Sequence, residues 1–106
     1  MKHYFIINPA AGPKDSSTKL KEQIESIFAN KTDTYEIYIT KAAGESYKIA
    51  HEASNNLEED TIFYACGGDG TLSEVVNACA EKKNAEVAAI PLGSGNDFIR
   101  IFGKKE

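Results

Sequence analysis

Apolar positions along this chain switch between short continuous runs and helical spacing, and each switch marks an element. Tyr4-Phe5-Ile6-Ile7 is a continuous apolar run rich in aromatic and β-branched residues, closed by Pro9, and predicts a buried strand. From Ser16 to Asn30, Leu20, Ile24, Ile27 and Phe28 fall on one face with Lys and Glu opposite, which predicts an amphipathic helix. Tyr35, Ile37 and Ile39 alternate with Glu36 and Tyr38, the pattern of a less buried strand. After Gly44, the positions Ile49, Ala50, Ala53 and Leu57 form a second, weaker stripe. Thr61 to Cys66 predicts another buried strand. Leu72, Val75, Val76, Cys79 and Ala80 then make the cleanest helical stripe. Val87 to Ile90 predicts a fourth strand, stopped by Pro91, and Phe98-Ile99-Arg100-Ile101-Phe102 a short amphipathic turn before Gly103.

Strands alternating with helices of this length predict parallel pairing through right-handed crossovers. The expected fold is α/β: a three-layer α/β/α domain with a mostly parallel sheet in the order 2-1-3-4. Both faces of such a sheet are covered, which accounts for the uninterrupted apolar runs at Phe5–Ile7 and Ile62–Ala65.

Ligands of open α/β sheets bind beyond the carboxyl ends of the strands, where strand order reverses. With the order 2-1-3-4, strands 1, 3 and 4 are neighbours, and each ends in an unusual loop of small residues. These are Asn8-Pro9-Ala10-Ala11-Gly12, Gly67-Gly68-Asp69-Gly70-Thr71, and Pro91-Leu92-Gly93-Ser94-Gly95-Asn96-Asp97. The middle loop is the most informative. Its glycines permit positive φ and close approach of a ligand to bare main chain, and Thr71 is expected to open a helix whose free N–H groups favour a phosphate. Thr71-Leu72-Ser73-Glu74 also matches a capping box, which would satisfy first-turn amides without any ligand. A capping box does not call for three glycines around Asp69, however, and a carboxylate in a phosphate cradle needs Mg²⁺ or a proton-donating hydroxyl beside it. Asn-Pro with a following Gly is ordinary turn chemistry on its own, and Ser94 with Asp97 could cap the last helix. The hydroxyl, amide and carboxylate of that fourth loop could equally serve base, ribose or phosphates.

Composition narrows the function. The 106 residues suit one domain, 42% of them hydrophobic and 26% charged, with a net charge of -4. That charge, with Arg100 as the sole arginine, argues against a nucleic-acid partner. The longest basic runs, Lys82-Lys83 and Lys104-Lys105, give this segment no anionic-membrane patch. Cys66 and Cys79 read as small buried hydrophobes rather than zinc ligands. His3 and His51 have no partner at metal-ligand spacing. The start of the chain passes straight into a strand without a signal-peptide pattern, and no stretch approaches a membrane span, so a cytoplasmic location is expected. No G-x-x-x-x-G-K-[ST] is present, and Ser73 stands where a dinucleotide fingerprint needs its third glycine.

Taken together, the three loops resemble the catalytic domain of the diacylglycerol kinase family, which includes bacterial lipid kinases and sphingosine and ceramide kinases. That family has an Asn-Pro-x-x-Gly loop, a Gly-Gly-Asp-Gly-Thr signature running into a helix with Glu and Asn, and a Pro-x-Gly-Thr-x-Asn-Asp loop. Here these are Asn8 to Gly12, Gly67 to Thr71 with Glu74 and Asn77, and Pro91 to Asp97, in the same order. Gly-Gly-Asp-Gly is shared with NAD kinases and phosphofructokinases, whose sheet is of the same kind; the flanking loops favour the lipid kinases.

The resemblance implies ATP, with Mg²⁺, bound between this α/β domain and a second, β-rich, lipid-binding domain that has no counterpart in residues 1–106. It implies nucleotide contacts around Asn8, Pro9, Ala10, Ala11 and Gly12, around Thr40, and along Cys66, Gly67, Gly68, Asp69, Gly70, Thr71, Leu72 and Glu74. Ser94, Asn96 and Asp97 join them, Ser94 keeping the hydroxyl of the family's usual threonine. Asp69 is the expected catalytic residue, close to the transferred phosphate and the acceptor hydroxyl, directly or through Mg²⁺. No metal ligand is assigned within this chain, because the family's Mg²⁺-site acids lie in the other domain. The expected activity is transfer of the ATP γ-phosphate to a lipid hydroxyl, by an enzyme peripheral to the inner membrane face and possible as a homodimer. Residues 1–106 would be its nucleotide-binding half, inactive alone. The alternatives are an NAD kinase-like nucleotide kinase and a non-catalytic nucleotide-sensing module.

Overall fold

A computed structural model describes residues 1–12, 15–42 and 44–92. Strands β1 (Lys2–Ile7), β2 (Thr34–Ile39), β3 (Thr61–Gly67) and β4 (Ala85–Pro91) alternate with helices α1 (Ser16–Phe28), α2 (Glu45–Ser54) and α3 (Asp69–Cys79). A short 3-10 turn at Pro9–Ala11 follows β1. The strands form one all-parallel sheet in the order β2-β1-β3-β4, so the expected α/β topology is the observed one. The final amphipathic turn expected at Phe98–Phe102 lies outside the described residues.

Alternation along the strands divides the interior into two cores. Phe5, Ile7, Tyr64, Cys66 and Ile90 face α1 through Leu20, Ile24 and Phe28. Ile6, Phe63 and Ala65 point the other way, against Ala50 of α2 and Val75, Ala78 and Cys79 of α3. The sheet therefore has a helix layer on each side, as its continuous apolar strands require. Phe5, Ile6, Ile7, Ile24 and Phe63 have no exposed surface, and burying each such side chain stabilises the fold by about 1.5–3 kcal/mol. Phe5 also stacks on Tyr64 with ring centroids 4.3 Å apart.

His3 is a core histidine. It is buried against the Phe28 ring at 4.9 Å, with Nδ1 2.8 Å from the Tyr64 hydroxyl and Nε2 3.2 Å from Asp33 Oδ2. His51 lies on the surface, stacked on Tyr47. Gly44 precedes α2 at φ 83°, a left-handed conformation that explains glycine there. The edge strand β2 is the least buried of the first three, as its alternation indicated.

Helix α3 departs from expectation in two respects. It begins at Asp69 with Gly68 as N-cap, two residues before Thr71, and no side chain caps it. Thr71 is thus the third helical residue, and the capping box is not formed. The buried stripe is Thr71, Val75, Ala78 and Cys79 rather than Leu72, Val75, Val76, Cys79 and Ala80; Val76 is 45% exposed. Leu72, Val75 and Cys79 of the expected stripe do pack in the core, while Val76 and Ala80 face outward and Thr71 and Ala78 take inward places. Thr71 is drawn inward to the first loop, and Ala78 packs in the same core as Ala50, a small pair that lets α2 and α3 lie close. Strand β4 also runs one residue further than its proline suggested: Pro91 pairs with Gly67 at a sheet edge, where no ladder N–H is needed.

Candidate functional site

All four strands end at one edge, where the register aligns Ile7 with Ile39 and Cys66, and Gly67 with Pro91. The chain leaves that edge through Asn8, Thr40, Gly68 and Leu92. Three of these exits lead into the small-residue loops; the structure joins the first to the glycine turn and seats it on Leu92, while residues 93–97 of the fourth-strand loop lie outside the described residues.

The first loop is built around Asn8. Its N–H donates to the Cys66 carbonyl at 2.9 Å, extending the β1–β3 ladder by one step. Its side-chain Oδ1 accepts from Ala10 N–H at 3.1 Å and holds the 3-10 turn, whose first residue is Pro9. Its Nδ2 donates to Thr71 Oγ1 at 3.2 Å, joining this loop to α3. Gly12 closes the loop against the fourth strand's exit. A Cβ on Gly12 would stand 2.7 Å from both Leu92 Cβ and Ser16 Oγ, so only glycine allows this approach.

The glycine turn divides into two kinds of position. At Gly67 an added Cβ would lie 2.6 Å from Thr71 Oγ1 and 3.0 Å from Thr71 Cβ, so this glycine is required by internal packing. At Gly68 and Gly70 an added Cβ would meet nothing within 4 Å among the described residues. Nor does φ demand glycine: among the described residues only Gly44 is a positive-φ glycine. The conformational freedom expected of these residues is therefore not used, and the two bare positions leave open space beside an uncapped helix.

That helix start presents donors. The first α-helical bond is Leu72 N–H to Gly68 C=O at 3.1 Å, so the N–H groups of Asp69, Gly70 and Thr71 precede the intrahelical ladder. They carry the positive end of the helix dipole, which favours an anion. Asp69 is exposed in this first turn. A carboxylate there also stabilises the helix itself. Those donors and the open glycines suit phosphate oxygens, and a single exposed carboxylate suits Mg²⁺ held mainly by phosphates and water.

The remaining predicted residues are placed variously. Thr40 is buried beside the first loop, its N–H donating to the Ile7 carbonyl at 2.8 Å and its hydroxyl to the same oxygen at 3.3 Å. The Cys66 side chain lies in the α1-side core, where burial pushes its thiol well above the ordinary range; only its backbone reaches the loops. Leu72 packs against the α2–α3 core. Glu74 is half-buried, one turn beyond Gly70 on the same helix face. Ser94, Asn96 and Asp97 lie outside the described residues. Residue spacing did not anticipate the Asn8–Thr71 bond or the seat of Gly12 on Leu92; an asparagine directly before proline at a strand end was the one available hint.

A parallel α/β domain whose glycine turn leads into a helix start without a side-chain cap presents amides suited to an anion, and the comparisons give its family. Residues 2–106 match the diacylglycerol kinase catalytic domain, and the chain belongs to that family. It is 35% identical over 99 residues to a diacylglycerol kinase of Staphylococcus aureus (strain bovine RF122 / ET3-1), covering 92% of this chain and 30% of that protein. It is 34% identical over 100 residues to a diacylglycerol kinase of Bacillus subtilis (strain 168), covering 93% of this chain and 32% of that one. A crystal structure of a diacylglycerol kinase from Bacillus anthracis str. Sterne superposes with a TM-score of 0.63 at 34% identity, over 96% of this chain and 36% of that chain. The chain thus spans about a third of the length of these relatives. Among the described residues no helix is long and apolar enough to cross a membrane.

Proposed function

We propose that this chain is the nucleotide-binding part of an ATP-dependent lipid kinase, which transfers the γ-phosphate of ATP to a lipid hydroxyl. The observation that carries this reading is the helix start at Gly68–Thr71, where Gly68 and Gly70 meet no neighbour among the described residues and three N–H groups precede the intrahelical ladder. Bare main chain and open donors accommodate the phosphates of a nucleotide, and the loops at Asn8–Gly12 and Leu92 wall the same edge. Family membership supports a lipid as acceptor, since the relatives are named diacylglycerol kinases. The lipid-binding part, and a peripheral seat on the membrane, belong to sequence beyond residues 1–106 in this reading.

Phosphoryl transfer depends chiefly on position and charge neutralisation. In this reading the Asp69, Gly70 and Thr71 amides hold phosphate oxygens, while the Asp69 carboxylate stands toward the reacting end. Mg²⁺, if held there, would neutralise phosphate charge, and Asp69 is the residue of this turn that could bind it. An isolated nucleotide half lacks the acceptor, so these residues alone should bind ATP weakly and transfer nothing.

Titration of the ¹⁵N-labelled chain with MgATP tests this. Shifts confined to residues 8–12 and 67–74, with no comparable response to NAD, are expected. Preferential NAD binding would favour a nucleotide kinase instead. In a chain extended to the full length of its relatives, Asp69→Asn should abolish lipid phosphorylation; persistence would remove Asp69 from the transfer step, and a full-length chain that binds ATP yet phosphorylates no lipid would favour a nucleotide-sensing module.

A further inference from the structure

Asn8 belongs to the loop that this reading sets beside the phosphates, yet both ends of its side chain are engaged within the protein. Oδ1 accepts from Ala10 N–H, and Nδ2 lies 3.2 Å from Thr71 Oγ1. A backbone N–H can only donate, so the Ala10 bond fixes which end of the amide is the carbonyl. The NH₂ must then face Thr71, and the Thr71 oxygen must accept. A hydroxyl that accepts from one neighbour keeps its own proton for another acceptor. Among the described residues none takes it, since Asn8 is the hydroxyl's sole hydrogen-bond partner. Thr71 is 4% exposed, so bulk water has little access to that proton. The oxygen lies 2.6 Å from where a Gly67 Cβ would stand, directly against the bare main chain of the glycine turn.

We infer that Asn8 is a positioning residue that makes no direct contact with nucleotide: by donating to Thr71 it keeps the Thr71 hydroxyl as a hydrogen-bond donor to a phosphate oxygen. This rests on the nucleotide reading above. It also explains the amide chemistry. Aspartate at position 8 could accept from Ala10 but has no proton to give Thr71, and serine, with one oxygen on a shorter side chain, cannot stand at both the Oδ1 and the Nδ2 positions; the amide accepts and donates from two separate atoms.

The test uses Asn8→Ser, which keeps an acceptor for Ala10, in three backgrounds: Thr71, Thr71→Ser and Thr71→Val. ATP affinity and the Asn8 side-chain amide resonances are followed by NMR. Asn8→Ser should weaken ATP binding roughly tenfold when residue 71 bears a hydroxyl, the scale of one hydrogen bond to a charged group, and cause no further loss in Thr71→Val. In Thr71→Val alone, the Asn8 amide protons should move toward solvent-exposed values. Independent losses in the doubly substituted chain, or an Asn8 amide indifferent to Thr71→Val, would overturn the positioning role while leaving nucleotide binding intact. Absence of ATP binding in the unsubstituted chain, with the amide still responsive to Thr71→Val, would instead overturn the nucleotide reading and this role with it.

Discussion

Gly70→Ala should make this protein more stable and worse at holding a nucleotide. Gly70 is the second residue of α3, is not in the positive-φ region, and an added Cβ there meets nothing within 4 Å among the described residues. In a helix interior alanine is favoured over glycine by about 0.8–1.0 kcal/mol. Taking roughly half of that for a first-turn position gives ~0.5 kcal/mol, or about 2–4 °C in thermal midpoint for a domain of this size. The methyl would fill the space assigned to phosphate, and a loss of at least about tenfold in ATP affinity corresponds to ~1.4 kcal/mol. Circular dichroism melts with and without MgATP read both quantities on one sample. The variant should melt higher without nucleotide and gain less from its addition. A higher midpoint with undiminished ATP stabilisation would refute the argument, because the space beside Gly70 would then serve no ligand. A lower midpoint would refute the packing on which it stands.

Gly67→Ala should act in the opposite sense, destabilising by about 1–3 kcal/mol because its Cβ would meet Thr71 Oγ1 at 2.6 Å; urea unfolding measures this, and an unchanged midpoint would contradict the close approach. Phe5→Ala removes a fully buried ring stacked on Tyr64 and should cost about 3–5 kcal/mol, seen as a large fall in urea midpoint. Burial holds the Cys66 thiol above its usual value and pushes Tyr64 up to about 12. Both groups keep their protons in the fold at pH values where the unfolded chain loses them. Stability should therefore be full at neutral pH and fall as pH rises above about 9 for Cys66 and about 10 for Tyr64, approaching ~1.4 kcal/mol per pH unit for each group. Cys66→Ala should flatten the fall between pH 9 and 10; an unaltered slope would show that the thiol is not the cause.

Much of the fold could be read before any contact was known because its signals are local. Continuous apolar runs at Phe5–Ile7 and Ile62–Cys66 can be satisfied only by a sheet covered on both faces, and helical segments between them leave parallel crossovers as the connection. The convergence of the first, third and fourth loops followed from that topology alone. What eluded the sequence depends on long-range fit. Thr71 of α3 bonds to Asn8, 63 positions away in the chain, and no spacing within the helix carries that information. The glycines of the turn look alike as letters. Gly67 answers to a neighbouring side chain, whereas Gly68 and Gly70 meet none among the described residues. Spacing set His3 and His51 aside as metal ligands but did not separate the buried one from the exposed one, because the partners of His3, Tyr64 and Asp33, come from β3 and the approach to β2.

The sheet order has a consequence for synthesis. β1 is the first strand to be made and lies inside the sheet, between β2 and β3, with Lys2 paired to both Thr34 and Thr61. While the chain emerges, β2 can occupy one side of it early, but the other side waits until residues 61–67 have been translated. Through that interval Phe5, Ile6 and Ile7 border an unpaired strand edge, the kind of surface on which chains stick to one another. Slow passage between residues 40 and 60, or a break in that stretch, would leave this buried central strand without its second partner and send the product toward aggregates rather than toward a smaller fold.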